Sequence, residues 1–377
     1  MALGRSPRIG FACAWWRPVK STWSYTPWNL GEAMLRQPVD LVSIDARRST
    51  AVAGLLAGAY RPTRTHWKYG WANRALAERL IRRQAVRRGC DALVEMADHT
   101  VPTAVPTFAY QDMGFSVAAE FHPLLAELDA VMYEAPRATL QRLAARQHDE
   151  YHALEGILAM SSWFRDWLVQ HHDLPPDRVH VVHAGVNHQP VPLACPLPSG
   201  ERRRLLFVGA DWKRKAGDQV VRAVERLRSS GDRAVELTVV GPPVWPEGGD
   251  PPSWVHFVGT APPERVAELW SQHDLFVCPS RFDAYGIVFL EARVAGLPTI
   301  GRDAYAMPEL IGDAGRLVGA DDGPDEIAAA IDAALDDDEL VARVHAERGA
   351  AAERLSWDPV ASRIVDVVSG AVGAVTA

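Results

Sequence analysis

The sequence predicts an α/β protein made of two Rossmann-like domains, and three observations carry that expectation. Short apolar runs of strand length alternate with longer segments of helical period along the whole chain. The alternation restarts at Leu205, after a stretch (188–200) that holds four prolines and no periodic pattern. With 377 residues the chain is too long for one ordinary core, so domains at 1–190 and 200–355 are expected.

In the first half, Ile9–Trp15 reads as the opening strand, Trp16–Trp28 as a long Trp/Pro-rich loop and Leu30–Arg36 as a helix. Asp40–Asp45 is the second strand. The first strand–helix junction lacks G-x-G-x-x-G, which argues against a dehydrogenase-type dinucleotide site. The loop Lys20–Trp28 offers hydroxyls and aromatic faces to a polar, ring-shaped partner. Trp23 and Trp28 are expected near such a partner, and Trp15, Trp67 and Trp71 in core and helix contacts. Asn73–Arg88 has helical period and feeds strands at Asp91–Glu95 and Pro106–Tyr110. His99 and Asp112 follow those strands, in the loops where open α/β sheets bind ligands. Residues 124–155 read as one or two helices, and Gly156–Ser161 as a strand. Ser161 or Ser162 caps the next helix, and His171-His172 is expected at its end, where cationic or polar side chains are favoured. Val179–His183 is the last strand before the linker.

In the second half, strand Leu205–Val208 runs into Gly209-Ala-Asp-Trp-Lys-Arg-Lys-Ala-Gly217 and a helix from Asp218 to about Arg228. A strand, a glycine turn, a basic cluster and a helix start make a phosphate-facing corner. Strands Glu236–Val240 and Trp254–Val258 flank a Pro/Gly-rich insertion, and Pro262–Gln272 is a helix. Leu275–Cys278 is a buried strand, Pro279–Tyr285 the loop at its carboxyl end, and Gly286 opens a helix that stops near Gly296 and Pro298. The Gly286 and Ile287 amides, with Tyr285 before them, then lie at a helix start that favours a phosphate. Asp283 in the loop can reach outward over a ligand, while Glu291 in the helix touches a part bound beside it. An anion flanked by two hydroxyl-seeking carboxylates suits a nucleotide sugar. Gly315–Val318 is a short strand, Pro324–Leu335 and Asp338–Leu355 are helices, and Trp357-Asp358-Pro359 precedes a last helix to about Ser369, with a frayed Ala/Gly tail beyond.

Hydrophobic content of 48% and charged content of 23% describe a globular chain. A net charge of −7 leaves no nucleic-acid footprint overall. No apolar stretch reaches 18 residues and no signal peptide is read, so a cytoplasmic protein without a transmembrane segment is expected. Cys13, Cys90, Cys195 and Cys278 have no metal-like spacing and read as reduced thiols. Heavy Ala/Arg/Gly usage fits a high-GC bacterial sequence.

Asp283-x7-Glu291, with the run Gly286-Ile-Val-Phe-Leu-Glu-Ala292, resembles the Glu-x7-Glu signature of retaining glycosyltransferases of family GT4, which have the GT-B fold. The first family glutamate is an aspartate here. The resemblance implies two Rossmann-like domains facing a central cleft, the first for the acceptor and the second for the nucleotide sugar. It also implies that the last helix, about 358–377, packs back on the first domain. Lys215 matches the family lysine that holds the donor diphosphate, but Ala210 stands where an arginine is usual, and Arg214 is the candidate replacement. Glu291 would take the ribose hydroxyls and Asp283 those of the sugar. Gly301–Ile311 resembles the glycine-rich turn before Pro-Glu, with Ala306 replacing a glycine and the Ala306 and Met307 backbone facing the sugar or β-phosphate. Gly209 supplies the turn under Lys215, and His99 and Asp112 would face the transferred sugar or the acceptor. His183-Ala-Gly-Val-Asn187 resembles the family's link out of the first domain.

The function so implied is metal-independent, retaining hexosyl or N-acetylhexosaminyl transfer. The donor is a nucleotide sugar, UDP-sugar favoured, and no cofactor is required. The acceptor is a small polar, glycan or natural-product hydroxyl compound, and the enzyme is a monomer or homodimer. The alternative is a catalytically impaired or regulatory nucleotide-sugar-binding protein, suggested by the departures at Ala210, Asp283 and Ala306.

Overall fold

The computed structural model describes residues 5–15, 18–47, 49–60, 70–96, 101–129, 135–230 and 233–376. The chain divides into two compact units. The first comprises Met1–Leu124, Val131–Gly185 and Trp357–Ala377, and the second Leu125–Ala130 and Val186–Ser356.

Unit 1 begins with β1 (Arg8–Cys13), whose last five residues are all buried, then a 3-10 turn at Val19–Tyr25 and α1 (Thr26–Met34). Most of the expected loop 16–28 is therefore helical. Pro27 pre-sets the backbone at the first turn of α1, and Leu30, Ala33 and Met34 bury one face. Trp23, Ser24 and Tyr25 before it all have positive φ (43°, 52°, 75°), a conformation that costs about 1–2 kcal/mol per non-glycine residue. Next come β2 (Asp40–Asp45), α2 (Thr50–Tyr60), α3 (Trp71–Arg88) and β3 (Ala92–Met96). Helix α2 gives no periodic signal because its side chains are apolar almost all round. Helix α3 buries Ala77, Ile81 and Ala85 in a cluster with Ala12, Ile44 and Leu93 of the first three strands.

The unit continues with β4 (Thr107–Gln111), α4 (Phe115–Glu120), the start of α5 (His122–Glu127, whose residues from Leu125 on are counted with unit 2), α6 (Arg137–Ala153), β5 (Gly156–Ala159), α7 (Ser162–His172) and β6 (Val179–Val181). Ser161 caps α7, its hydroxyl accepting the Phe164 N–H at 3.1 Å. The six strands form a parallel sheet in the order β2-β1-β3-β4-β5-β6.

In unit 2, β7 (Arg204–Val208), α8 (Gly217–Ser229), β8 (Glu236–Val240), β9 (Val255–Gly259), α9 (Pro263–Leu269) and β10 (Leu275–Val277) follow one another. Then come α10 (Ile287–Ala295), β11 (Thr299–Arg302), α11 (Met307–Ile311), β12 (Gly315–Val318), α12 (Pro324–Leu335) and α13 (Asp338–Arg354). The order of this second parallel sheet is β12-β11-β10-β7-β8-β9. The last helix, α14 (Trp357–Thr376), belongs to unit 1, where it packs on α1 and Asp358 pairs with Arg36.

The expected frayed tail is corrected, because α14 continues to Thr376. Gly370 and Gly373 face open space, so their missing side chains forfeit no packing, while Val360, Ile364 and Val368 anchor the helix.

In each sheet the order in which the chain adds strands reverses once. In unit 2 the chain leaves β7 toward β8 and β9, then crosses to β10 on the other side of β7. That break puts the loops after β7 and β10 side by side at the carboxyl edge, where open α/β sheets take their ligands. In unit 1 the equivalent break lies between β1 and β3.

Candidate functional site

The loop after β7 is built on two glycines. A Cβ on Gly209 would lie 2.8 Å from Lys215 Cγ, so the bare backbone lets the lysine stem cross over it. A Cβ on Gly217 would lie 2.2 Å from the Trp212 ring, which is nearly buried and packs edge-on against Phe207 at 5.3 Å. Between them Ala216 has φ +59° and caps α8. Gly217→Ala is expected to destabilise the protein by about 1–3 kcal/mol through overpacking and to weaken nucleotide binding. Thermal unfolding and ligand titration check this, and an unchanged Tm would reject the packing assignment.

The loop after β10 is tied to the first at several points. The Arg281 amide donates to the Arg214 carbonyl at 2.8 Å, and its guanidinium to the Lys213 carbonyl at 2.6 Å. That guanidinium also grips Asp218 through both oxygens at 2.7 and 2.8 Å. Arg214 donates to Asp211 at 2.6 Å and to the Phe282 carbonyl at 3.0 Å, and lies 3.7 Å from Asp283. Burial by itself would lower the Arg214 pKa, but Asp283 and Asp211 outweigh it and hold the guanidinium above its ordinary value.

Lys215 Nζ pairs with Asp283 Oδ2, with both side chains little exposed at 12% and 11%. Two residues expected at different parts of a ligand are thus direct partners. Asp283 turns toward the basic loop instead of outward, since a charge this buried is costly unless paired. Gly286 has φ +89°, and a Cβ there would lie 2.6 Å from the Phe289 ring and 3.2 Å from Asp283. Only glycine both adopts that turn and leaves Asp283 its place. Of the first-turn N–H groups of α10, that of Phe289 donates to the Gly286 carbonyl at 3.0 Å, while those of Ile287 and Val288 precede any carbonyl of their own helix.

Glu291 lies on the buried side of α10. Burial pushes its carboxyl up to about 8, offset in part by the His188 backbone N–H that it accepts. Glu291 is therefore largely protonated at neutral pH. Tyr285 is buried and Ile287 half-buried at the helix start. Ala306 and Met307 are fully buried. The expectation that the Met307 amide faces a ligand is corrected, because it donates to the Ala304 carbonyl at 3.2 Å and closes the turn. Ala306 has φ −84°, an ordinary helical value, so alanine in place of glycine adds no strain. The strained residue is its neighbour Tyr305 (φ +55°), whose ring packs edge-on against Phe282 at 4.8 Å.

Sequence reasoning did not single out Asp211, Asp218, Arg281 or Arg302. Arg302 is buried at the end of β11 and donates to the Pro279, Gly319, Ala320 and Asp322 carbonyls and to Gln219. A charged residue ending an apolar strand was the available signal.

In unit 1, His99 lies outside the described residues, as do Trp16 and Trp67. Asp112 is half-buried just after β4. Trp15 is buried against Phe11, and Trp23 and Trp28 are partly exposed, with the Lys20 ammonium 5.1 Å from the Trp28 ring. Glu95, a buried residue near the end of β3, accepts the Val101 amide at 2.7 Å. Burial pushes its carboxyl up to about 8, partly opposed by that hydrogen bond. A proton is then held in the fold between about pH 4.5 and 8 that unfolding would release, so this group's stabilisation is lost as pH rises through that window. Glu95→Gln is expected to gain stability over wild type progressively across that range and to match it at pH 4, as denaturant titrations at each pH would show. His171 and His172 stand in the last turn of α7 as expected, and His172 is there as a neutral, polar side chain. Burial, then His148, His171 and His152, push it down to about 4, and its Nε2 sits 2.7 Å from the Ser116 hydroxyl.

Residues 202–337 match the family model for group 1 glycosyl transferases. The chain is 25% identical over 285 residues to O-antigen chain mannosyltransferase B of Escherichia coli, covering 71% of this chain and 70% of that protein. It is 28% identical over 302 residues to D-inositol 3-phosphate glycosyltransferase of Streptomyces griseus, covering 70% and 64%. The chain thus spans slightly less than two thirds of the second relative. The crystal structure of WaaG, a glycosyltransferase involved in lipopolysaccharide biosynthesis, has the same fold at a TM-score of 0.58 and 15% identity, covering 96% of this chain and 100% of that one.

Proposed function

We propose that this chain is a group 1 glycosyl transferase of the GT-B fold and that it carries out a retaining sugar transfer. It moves a hexosyl or N-acetylhexosaminyl unit from a nucleotide sugar, UDP-sugar favoured, to a hydroxyl of a small polar or glycan acceptor, without a metal. The observation that carries the reading is the junction of the two loops at the strand-order break between β7 and β10. There Lys215, Arg214 and the amino end of α10 converge, with Asp283 among them.

Such a corner supports neutralisation of a leaving diphosphate by fixed charges and dipoles rather than by solvent. Lys215 would exchange part of its pairing with Asp283 for phosphate oxygens, freeing the carboxylate for sugar hydroxyls. Glu291 would take the ribose hydroxyls. In the transfer step the bond from the anomeric carbon to the phosphate oxygen breaks as the bond to the acceptor oxygen forms. The departing phosphate oxygen accepts the acceptor's proton on the same face.

A thermal-unfolding panel of UDP-, GDP- and dTDP-sugars, followed by product analysis with the stabilising donor, tests the reading. A ligand at 100 times its Kd adds about 2.7 kcal/mol of stability, well within detection. No stabilisation by any nucleotide sugar would reject it. Stabilisation without turnover would favour the second reading, a regulatory nucleotide-sugar-binding protein, which the departures at Ala210 and Asp283 keep in view.

A further inference from the structure

The basic turn after β7 is held from two sides. From the β10 side come the Arg281 hydrogen bonds to the Arg214 and Lys213 carbonyls. The other support comes from the connection between β8 and β9. That connection leaves β8 through Gly241, whose φ is +130° and where a Cβ would lie 2.4 Å from the Gly209 backbone, so glycine lets the two strand ends meet. Residues 241–252 then hold five prolines and form no helix or strand. Their one aromatic side chain, Trp245, packs edge-on against Trp212 at 5.7 Å on one side and against Phe257 of β9 at 5.6 Å on the other. Two residues on, the Glu247 carboxylate accepts the Trp212 indole N–H. Trp212 is thereby enclosed. Phe207, Trp245 and the bare Gly217 backbone surround its ring, and Glu247 takes its single donor.

Fixing the indole fixes the turn. The Gly217 amide donates to the Trp212 carbonyl at 2.9 Å, the Ala216 amide to that of Lys213 at 3.0 Å and the Lys215 amide to that of Asp211 at 2.9 Å. Trp212 and Lys215 therefore belong to one hydrogen-bonded turn, with the indole on Trp245 and Glu247 and the ammonium on Asp283. Three rings in series tie that turn to edge strand β9. A charge that stabilises a leaving group works only where it is held, and a misplacement of about 1 Å can cost about 100-fold in rate.

Given the donor site argued for this chain, we propose that the β8–β9 connection is a positioning element for Lys215. Trp245 and Glu247 clamp Trp212 and so keep the ammonium where a leaving diphosphate would form. The clamp has a readout that needs no donor, because Lys213, Arg214 and Lys215 are themselves trypsin sites. Native proteolysis of the full-length protein, with fragments identified by mass, should show slow cutting there in the wild type. Trp245→Ala should raise it by about 10-fold through local opening. Glu247 is exposed, so Glu247→Ala keeps the test open should Trp245→Ala fail to fold. In transfer, Trp245→Ala should lower kcat on the order of 10- to 100-fold and Glu247→Ala about 5-fold, with KM little changed. Glu247→Gln, which keeps an acceptor for the indole, should recover most of the rate. In a Lys215→Ala background Trp245→Ala should cost no more than about 3-fold further, since both act through the same ammonium. Unchanged cutting at 213–215 in both variants would overturn the clamp, whatever the donor. Faster cutting with rate losses that add in full to that of Lys215→Ala would overturn its role in transfer. A wild type that bound no nucleotide sugar would instead reject the donor site itself.

Discussion

Lys215→Ala is expected to lower the rate of sugar transfer by about 100- to 1,000-fold, the usual effect of removing one preorganised charge from a developing anion. The side chain is held over Gly209, paired with Asp283 and little exposed. In the proposed reaction its ammonium would therefore meet a leaving diphosphate without first shedding a large water shell. Arg214, 3.7 Å from Asp283 and fixed by Asp211, remains in the variant and keeps some positive field there. The loss should fall mainly on kcat and less on KM, because charge on the leaving group develops in the transition state. Asp283 would keep only Arg214 as a nearby cation, so stability should fall as well. Pairing Lys215→Ala with Asp283→Asn separates the two effects. The double variant should regain much of the stability and none of the rate. A Lys215→Ala protein with wild-type turnover would remove the lysine from the mechanism.

The second large effect concerns Glu291. A carboxyl at about 8 in the folded protein is mostly neutral at pH 6, yet two ribose hydroxyls donate best to a carboxylate. Nucleotide binding should therefore release a proton below pH 8 and tighten about 10-fold per pH unit up to that value, then level off. Calorimetric titration of the nucleoside diphosphate in buffers of different ionisation enthalpy reports both the affinity and the proton. Glu291→Gln should bind weakly and without this pH dependence, and Glu291→Ala more weakly still. The same group works against the unliganded fold. Its proton is retained in the folded chain and lost on unfolding between about pH 4.5 and 8, so stability falls as pH rises through that window, by at most about 1.4 kcal/mol per pH unit. A pH-independent Kd in the wild type would show that Glu291 does not meet the ribose as a carboxylate.

Most elements were legible because their signals are local. Glu236–Val240, Gly315–Val318 and Pro324–Leu335 lie where periodicity and end signals put them. Ser161 caps α7 as its chemistry suggested, and Gly286 opens α10. Helix α2 was missed because an all-round apolar segment has no amphipathic stripe. Helix α4 was missed because its six residues are too few to show a period. The extent of α14 was underestimated because glycine lowers helix propensity, whereas docking on α1 restores the helix.

By itself the sequence determined the α/β alternation, the restart at Leu205, and the loops at 209–217 and 278–286 that carry lysine, arginine and carboxylate. Side-chain period and turn chemistry act within a few residues, so they can be read along a line. Only the tertiary structure decided which of those groups meet. Strand order set β7 beside β10 and so joined Lys215 to Asp283 across 68 residues of chain. The burial that holds Glu291 protonated and the exposure that leaves α2 apolar in solvent are likewise sums over distant neighbours. Desolvation depends on everything that surrounds a group, and no local pattern encodes it.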